Sequence, residues 1–254
     1  MGRRGAGHAV EGLRRGERLA PRVLDVGPQA VQACVLPTQA GPLAGDHDRV
    51  RIVVGPGATL VVRPVAATVA LPGDRRTRIG LEVEIGTGGR LVLDEAPLIV
   101  AAGADVERCA TITLAAGAVA ALRDVVVLGR AGEPGGRFAG TTRIADHRGV
   151  VLHDSMRFDP AAAAQDVHVA LAPGHRVAGT LCLVGIETAD DASLRLARGG
   201  ALRRCTARGV AELDAELAQP WAAWAQTVRE CCRELTGDRP RQPSAIPGWT
   251  SPLS

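Results

Sequence analysis

The sequence predicts an all-β fold of stacked, β-helix-like sheets, with two α-helices toward the C-terminus. Three observations predict it. First, one phrase recurs: an apolar residue, small or turn residues, a Gly, then an alternating strand. It reads Val54-Gly-Pro-Gly-Ala-Thr-Leu-Val-Val62 and Ile85-Gly-Thr-Gly-Gly-Arg-Leu-Val-Leu93. It returns as Val100-Ala-Ala-Gly-Ala-Asp-Val-Glu-Arg108 and Leu114-Ala-Ala-Gly-Ala-Val-Ala-Ala-Leu122, then more weakly as Leu171-Ala-Pro-Gly-His-Arg-Val-Ala-Gly179. The successive offsets are 31, 15, 14 and 57 residues, a rhythm near 15 with gaps. Gly supplies positive φ at a turn without a steric penalty, and one strand-turn unit cannot bury its own apolar face, so such units stack. Second, the remaining segments are short, apolar and β-branched, with Gly or Pro between them. Third, only two stretches switch to a helical period.

Taken in order, residues 1–20 read as a flexible N-terminal arm in which Arg3, Arg4, Arg14, Arg15 and Arg18 sit among glycines. Strands are predicted at Arg22–Val26, Ala30–Leu36 and Arg49–Val54, with a hairpin around Gly55-Pro56-Gly57 leading into Thr59–Arg63. Further strands are predicted at Arg78–Ile85, Arg90–Asp94, Ala110–Leu114, Val119–Leu128, Thr141–Asp146, Val150–His153, Asp166–Leu171 and Thr180–Ile186. Thr188 with Asp190 and Asp191 is a helix-start signature ahead of Leu194 and Leu196. A stronger helix is predicted at about 219–236, with Pro220 in its first turn, Trp221, Trp224, Val228 and Leu235 at helical spacing, and Gly237 at its end. Residues 205–217 fit strand and helix equally. One β domain over 21–238 and a Pro-rich extended tail over 239–254 complete the organisation.

Composition narrows the function. The chain of 254 residues is 46% hydrophobic, ample for a core, and its net charge of +3 is mild. Every one of its 30 basic residues is Arg, and these are interspersed with Asp and Glu, so no phosphate-tracking stripe forms. Aromatic residues are only 2%, too few to line a groove for sugars or single-stranded nucleic acid. No Gly-rich loop leads into a helix with Lys, and no G-x-S-x-G is present, which excludes a P-loop and a nucleophile elbow. The first twenty residues lack an apolar signal region, no run is long enough to span a membrane, and the six cysteines show no C-x-x-C spacing. A reducing cytoplasm is the expected location.

The densest chemical segment is Gly41–Arg49, where Asp46, His47 and Asp48 place two carboxylates and an imidazole on one predicted turn. Such N/O donors suit nickel, zinc or a similar cation, though a hydrogen-bonded turn would use the same residues. Glu95, before Pro97 at a strand end, is the second candidate; a buried carboxylate there needs a partner, for which Arg123 or Arg130 is available. Asp124 on an apolar strand invites the same reading. His147, His153 and His168 would need to converge to hold a metal. Trp221 and Trp224 lie three apart on one helix face, suited to packing or to anchoring another protein.

Several segments together carry a family resemblance. Pro37-Thr-Gln-Ala-Gly-Pro-Leu-Ala-Gly-Asp46, then Val50-Arg-Ile-Val-Val-Gly-Pro-Gly-Ala58, resembles the glycine-rich stretch, alternating strand and Gly-x-Gly-Ala turn of the UreD (UreH) family of urease accessory proteins. Pro64–Val69, Leu93-Asp-Glu-Ala-Pro97 and Leu128–Arg137 follow in the family's order, from about residue 20 to the Trp-bearing helix. The chain departs from the family at Ala44, Pro42, Val69 and Asp94, so it looks like a divergent member. The resemblance implies a β-rich superhelix with a couple of helices and no enzymatic activity. It implies a scaffold that binds apo-urease, joins UreF-like and UreG-like accessory proteins, and lets nickel pass along an internal path rather than hold it. Asp46, Asp48, Glu95 and His47 would line that path; Trp221, Trp224 and Arg130 would meet partners. Transient Ni2+ is then the cargo, no cofactor is tightly bound, and neither nucleic acid nor membrane is a partner. The competing expectation is a β-solenoid hydrolase or lyase using Asp46, Asp48 or Glu95 as acid and base.

Overall fold

In a computed structural model, which describes residues 2–4, 7–160, 171, 174–188 and 192–231, the chain winds into a β-solenoid-like body of two facing sheets. β1 (Gly2–Arg4) and β2 (Gly7–Ala9) pair as a ribbon within the predicted arm. β3 (Leu19–Val26) and β4 (Val31–Pro37) then form the antiparallel pair that edges a ten-stranded sheet. From β5 (His47–Val54) onward the chain coils. Each coil places one strand in a five-stranded sheet, turns a corner, and places the next in the larger sheet. β5 and β8 (Thr77–Ile85) stack in parallel with β11 (Asp105–Leu114) in the smaller sheet. β6 (Thr59–Val62), β9 (Arg90–Asp94) and β12 (Val119–Leu128) stack in parallel in the larger one. The short β7 (Thr68–Ala70) and β10 (Leu98–Val100) continue the first two coils and lie parallel to the end of β12.

β13 (Arg137–Asp146) joins the smaller sheet beside β11, and there the winding stops. β14 (Gly149–Phe158) folds back antiparallel on β13 around Gly149. β15 (Val177–Val184), β16 (Leu194–Arg195) and β17 (Gly200–Ala207) extend the larger sheet in antiparallel fashion. The helix α1 (Val210–Glu230) closes the described part of the chain.

The recurring phrase is the corner of the coil. Gly57, Gly88 and Gly117 take φ of 62°, 62° and 67° at the same corner of successive coils, where a side chain would be strained. Each corner also bonds the next: the Gly57 amide donates to the Thr87 carbonyl and the Gly88 amide to that of Ala116, both at 2.9 Å. Side chains stacked in adjacent coils are 31 and 29 residues apart, as in His47 with Arg78 and Arg78 with Glu107. The rhythm near 15 is therefore half a coil, one corner at each side. This corrects the hairpin expected at Gly55–Gly57. The turn sends β6 to the other sheet, so β5 and β6 each pair with the next coil rather than with each other.

Residues with period two divide the core. Inward positions of both sheets, among them Val54, Val83, Leu91, Ile112, Ile144 and Val184, form one buried cluster between the sheets. The opposite face of the larger sheet buries Val61, Val92, Val125, Leu181 and Leu183 against Leu213, Leu217, Trp224, Ala225 and Val228 of α1. The central strands are thus covered on both faces and read as unbroken apolar runs.

Two expectations about helices change. α1 begins at Val210, not near 219, and carries Pro220 inside it; the residues from 232 lie outside the described part. Gly209 precedes the helix, and Glu212 in its first turn accepts from the Arg208 amide at 3.0 Å, which secures the start. The second helix expected after Thr188 is replaced by β16, which pairs with β17. Gly199 and Gly200, with φ of 83° and 122°, make the turn between them. Pairing with the sheet outweighs a local helix signature whose residues Asp190 and Asp191 lie outside the described set. The strand expected at Asp166–Leu171 lies outside it too, except for Leu171, which stands in a bend. No helix among the described residues is long and apolar enough to cross a membrane.

Candidate functional site

The charged residues of interest stand out because they occupy inward positions in otherwise apolar rows. In β5 the row is Asp48, Val50, Ile52, Val54; in β11 it is Val106, Arg108, Ala110, Ile112. In β12 it is Leu122, Asp124, Val126, and Glu95 extends the row Leu91, Leu93 just beyond β9. Alternation sends their neighbours the other way. His47 faces out and its Nε2 lies 3.1 Å from the Arg78 guanidinium. Asp94 and Arg123 are register partners on the helix side, 3.1 Å apart, and Arg123 also pairs with Asp214 of α1.

Two cavities lie between the sheets. The wider, about 150 Å³, is lined from β3, β4 and β5 across to β9, and includes Asp48 and Arg63. The narrower, about 50 Å³, runs between β8–β14 of one sheet and β9–β17 of the other, and includes Asp124, Asp154, Cys182 and Arg204. Since one water needs on the order of 10–15 Å³ of such space, even the narrower holds a few. Leu81, Leu93, Glu95 and Arg108 line both, so the cavities meet at these four residues. The pair crosses successive strands of both sheets, along the axis of the coil.

The electrostatics concentrate at that meeting point. Arg108 is ion-paired with Asp124, its side chain is only 10% exposed, and its guanidinium lies 5.4 Å from the Phe138 ring centre. Burial works to lower the Arg108 pKa, but Asp124 and Glu95 outweigh it and raise it. The Asp124 Oδ1 is buried without a hydrogen-bond partner. Glu95 is half-buried as a residue, yet its carboxyl faces the enclosed space; loss of hydration, offset in part by Arg108, pushes its pKa up to about 7. Asp94 is raised by desolvation as well, with Arg123 opposing. At the outer end of the wide cavity Arg18 binds both Asp46 and Asp48, the latter through Nε at 2.8 Å. At the far end Arg204 pairs with Asp154 and donates from Nε to the Thr180 hydroxyl at 3.2 Å.

The structure therefore brings Asp46 and Asp48 together on Arg18, and Asp48 and Glu95 into one cavity. It does not bring His47 with them: the three residues expected on one turn divide because β5 already begins at His47. Both carboxylates of the turn are tied to Arg18. The cation beside Glu95 is Arg108 rather than Arg123 or Arg130, since Arg123 faces α1 and Arg130 pairs with Glu133 at 2.9 Å. Sequence reading missed Arg18 and Arg108; the visible signal for Arg108 is one Arg in an inward apolar row. Among the described residues no three His, Cys, Asp or Glu side chains converge as a metal-holding group, and His168 lies outside them. Trp224 is buried at 3% exposure, Trp221 packs half-buried on the same cluster, and Arg130 is exposed.

Comparison with known proteins adds a family. Residues 17–246 match the model of the UreD urease accessory protein family. A urease accessory protein UreD of Frankia alni is 49% identical over 107 residues, covering 41% of this chain and 36% of that one. A UreD of Streptomyces griseus is 37% identical over 180 residues, covering 70% and 69%, and that of Streptomyces coelicolor 34% over 204 residues, covering 74% and 80%. The alignment thus spans about a third of the Frankia alni relative and more than two thirds of the Streptomyces ones.

Proposed function

The chain belongs to the UreD family of urease accessory proteins, and from that premise we propose that it binds apo-urease, links it to UreF-like and UreG-like partners, and lets Ni2+ pass between its two sheets toward the urease site. One observation carries the reading: the two cavities that meet at Glu95 and Arg108, with carboxylates at both ends and in the middle. The donors fit a travelling ion. Carboxylate and water oxygens exchange readily, and Ni2+ binds N/O sites more strongly than most divalent ions, so a preformed cage of imidazoles or thiolates would trap it. Asp124 keeps a buried oxygen without a partner, which is a place for an ion to pause.

Asp46 and Asp48 would receive the ion at the wide end, and Glu95 and Asp124 would pass it on. Imidazole suits nickel, but His47 faces the outside of the smaller sheet and would act only before entry. For partners we assign Arg130, exposed between β12 and β13, and the accessible part of Trp221; Trp224 supports them by fixing α1 on the sheet. The chain takes no chemical step in this scheme and works in the cytoplasm, where its cysteines stay reduced.

The test is urease maturation in cells whose own UreD is replaced by this chain carrying Glu95→Gln with Asp124→Asn. The expected result is urease depleted of nickel, with co-purification of urease and accessory proteins unchanged. Urease with its full nickel content would overturn the reading.

A further inference from the structure

We propose that the Arg108 guanidinium is a tethered stand-in for the travelling cation: it closes the point where the two cavities meet and keeps ion binding there weak. This rests on the passage reading above and adds a competitor built into it. Among the described residues, every carboxylate aimed into the space between the sheets is met by an arginine except one: Arg18 holds Asp48, Arg108 holds Asp124, Arg204 holds Asp154, and Glu95 has no ion pair or side-chain hydrogen bond with any of them. Arg18 and Arg204 belong to the outer ends, Arg63 in the wide cavity donates to the Gln32 side chain at 2.9 Å, and Arg123 faces Asp94 and Asp214 on the helix side. Arg108 is therefore the one cation within reach of both Glu95 and Asp124 among the described residues.

An ion entering from Asp48 reaches Glu95 first. A divalent ion carries twice the charge of the guanidinium and competes for Asp124 at close range, where Coulomb attraction is strongest. The guanidinium does not need water to receive it, because the Phe138 ring already lies 5.4 Å away and offers a second face for a cation. Once Arg108 returns to Asp124 the ion loses a ligand and leaves. A side chain that re-forms its own ion pair thus drives release, with no covalent step and no exchange of electrons.

The experiment is calorimetric titration of the purified full chain with Ni2+, with circular dichroism confirming the fold of each variant. Arg108→Gln leaves Glu95 and Asp124 unopposed and should bind Ni2+ roughly tenfold tighter or more, since a charge lost at contact distance exceeds the tenfold step in affinity. Arg108→Lys keeps the charge but loses the planar fork, and should fall between wild type and Arg108→Gln. Unchanged or weaker binding by a folded Arg108→Gln overturns the proposal; should that variant not fold, Arg108→Lys decides, a tighter Kd supporting it and an equal or weaker one overturning it. Glu95→Gln with Asp124→Asn separates the two readings. If that pair leaves Ni2+ binding intact, the passage itself fails; if it abolishes binding while Arg108→Gln changes nothing, only the role of Arg108 fails.

Discussion

Replacing Glu95 by Gln should make the protein more stable above neutral pH, and the size of the gain follows from its surroundings. The folded state holds the Glu95 carboxyl at about 7, against 4.5 for the group in water. Between these values the native chain keeps a proton that the unfolded chain has lost. Its stabilising contribution is therefore fully present below 4.5 and is lost as pH rises to about 7. At ~1.4 kcal/mol per pH unit over that interval, ionisation of Glu95 removes about 3 kcal/mol from the folded state by pH 8. For a domain of this size that is a fall in Tm on the order of 6–12 °C. Gln keeps the shape and cannot ionise. Urea denaturation of wild type and Glu95→Gln at pH 5 and pH 8 isolates the effect of Glu95 and the charges that face it, because groups that do not interact with Glu95 cancel in the comparison. The stability difference between the two proteins should shift by about 2–3 kcal/mol in favour of Glu95→Gln on going from pH 5 to pH 8. A difference that does not change with pH would refute the argument that Glu95 is desolvated between the sheets.

Four further outcomes are expected. Leu217→Ala removes a fully buried side chain from the interface of α1 with the larger sheet and should cost about 2–5 kcal/mol by chemical denaturation. Gly117→Ala, at a corner with φ of 67° where an added Cβ meets only the Gly88 backbone at an ordinary 3.9 Å, should cost about 1–2 kcal/mol. Gly200→Ala adds a collision with the Leu183 carbonyl to its φ of 122°, so its melting temperature should fall well below that of Gly117→Ala. In the native protein at pH 8 a thiol reagent should modify exposed Cys109 quickly and leave Cys182 untouched until unfolding, since burial pushes the Cys182 thiol up to about 12; mass spectrometry of the labelled peptides reads this.

The coil was legible in the sequence because its corner makes a chemical demand. Positive φ at Gly57, Gly88 and Gly117 can be met cheaply only by Gly, and the strands after each one alternate. The sequence does not say which strand pairs with which, since a corner and a hairpin turn use the same residues; hence the hairpin expected at Gly55–Gly57. β7 and β10 are three residues each, too short for a period to show. The start of α1 was hidden because Pro220 looks like a first-turn residue, whereas Leu213 and Leu217 already lie on the buried stripe. Of the candidate site, Asp46, Asp48 and Glu95 could be named from local context. Their partners could not: Arg18 lies 30 residues from Asp48, and Arg108 meets Asp124 only through the coil. Contacts of that kind are made by topology rather than by neighbouring sequence.

Parallel stacking has a consequence for how such a molecule can change in length. Each turn of the chain advances the body by one strand spacing, about 4.8 Å. The space enclosed between the sheets can therefore be lengthened or shortened only in whole steps of that size, at the expense of some thirty residues gained or lost. Single substitutions change its lining; only a duplicated or deleted turn changes its length.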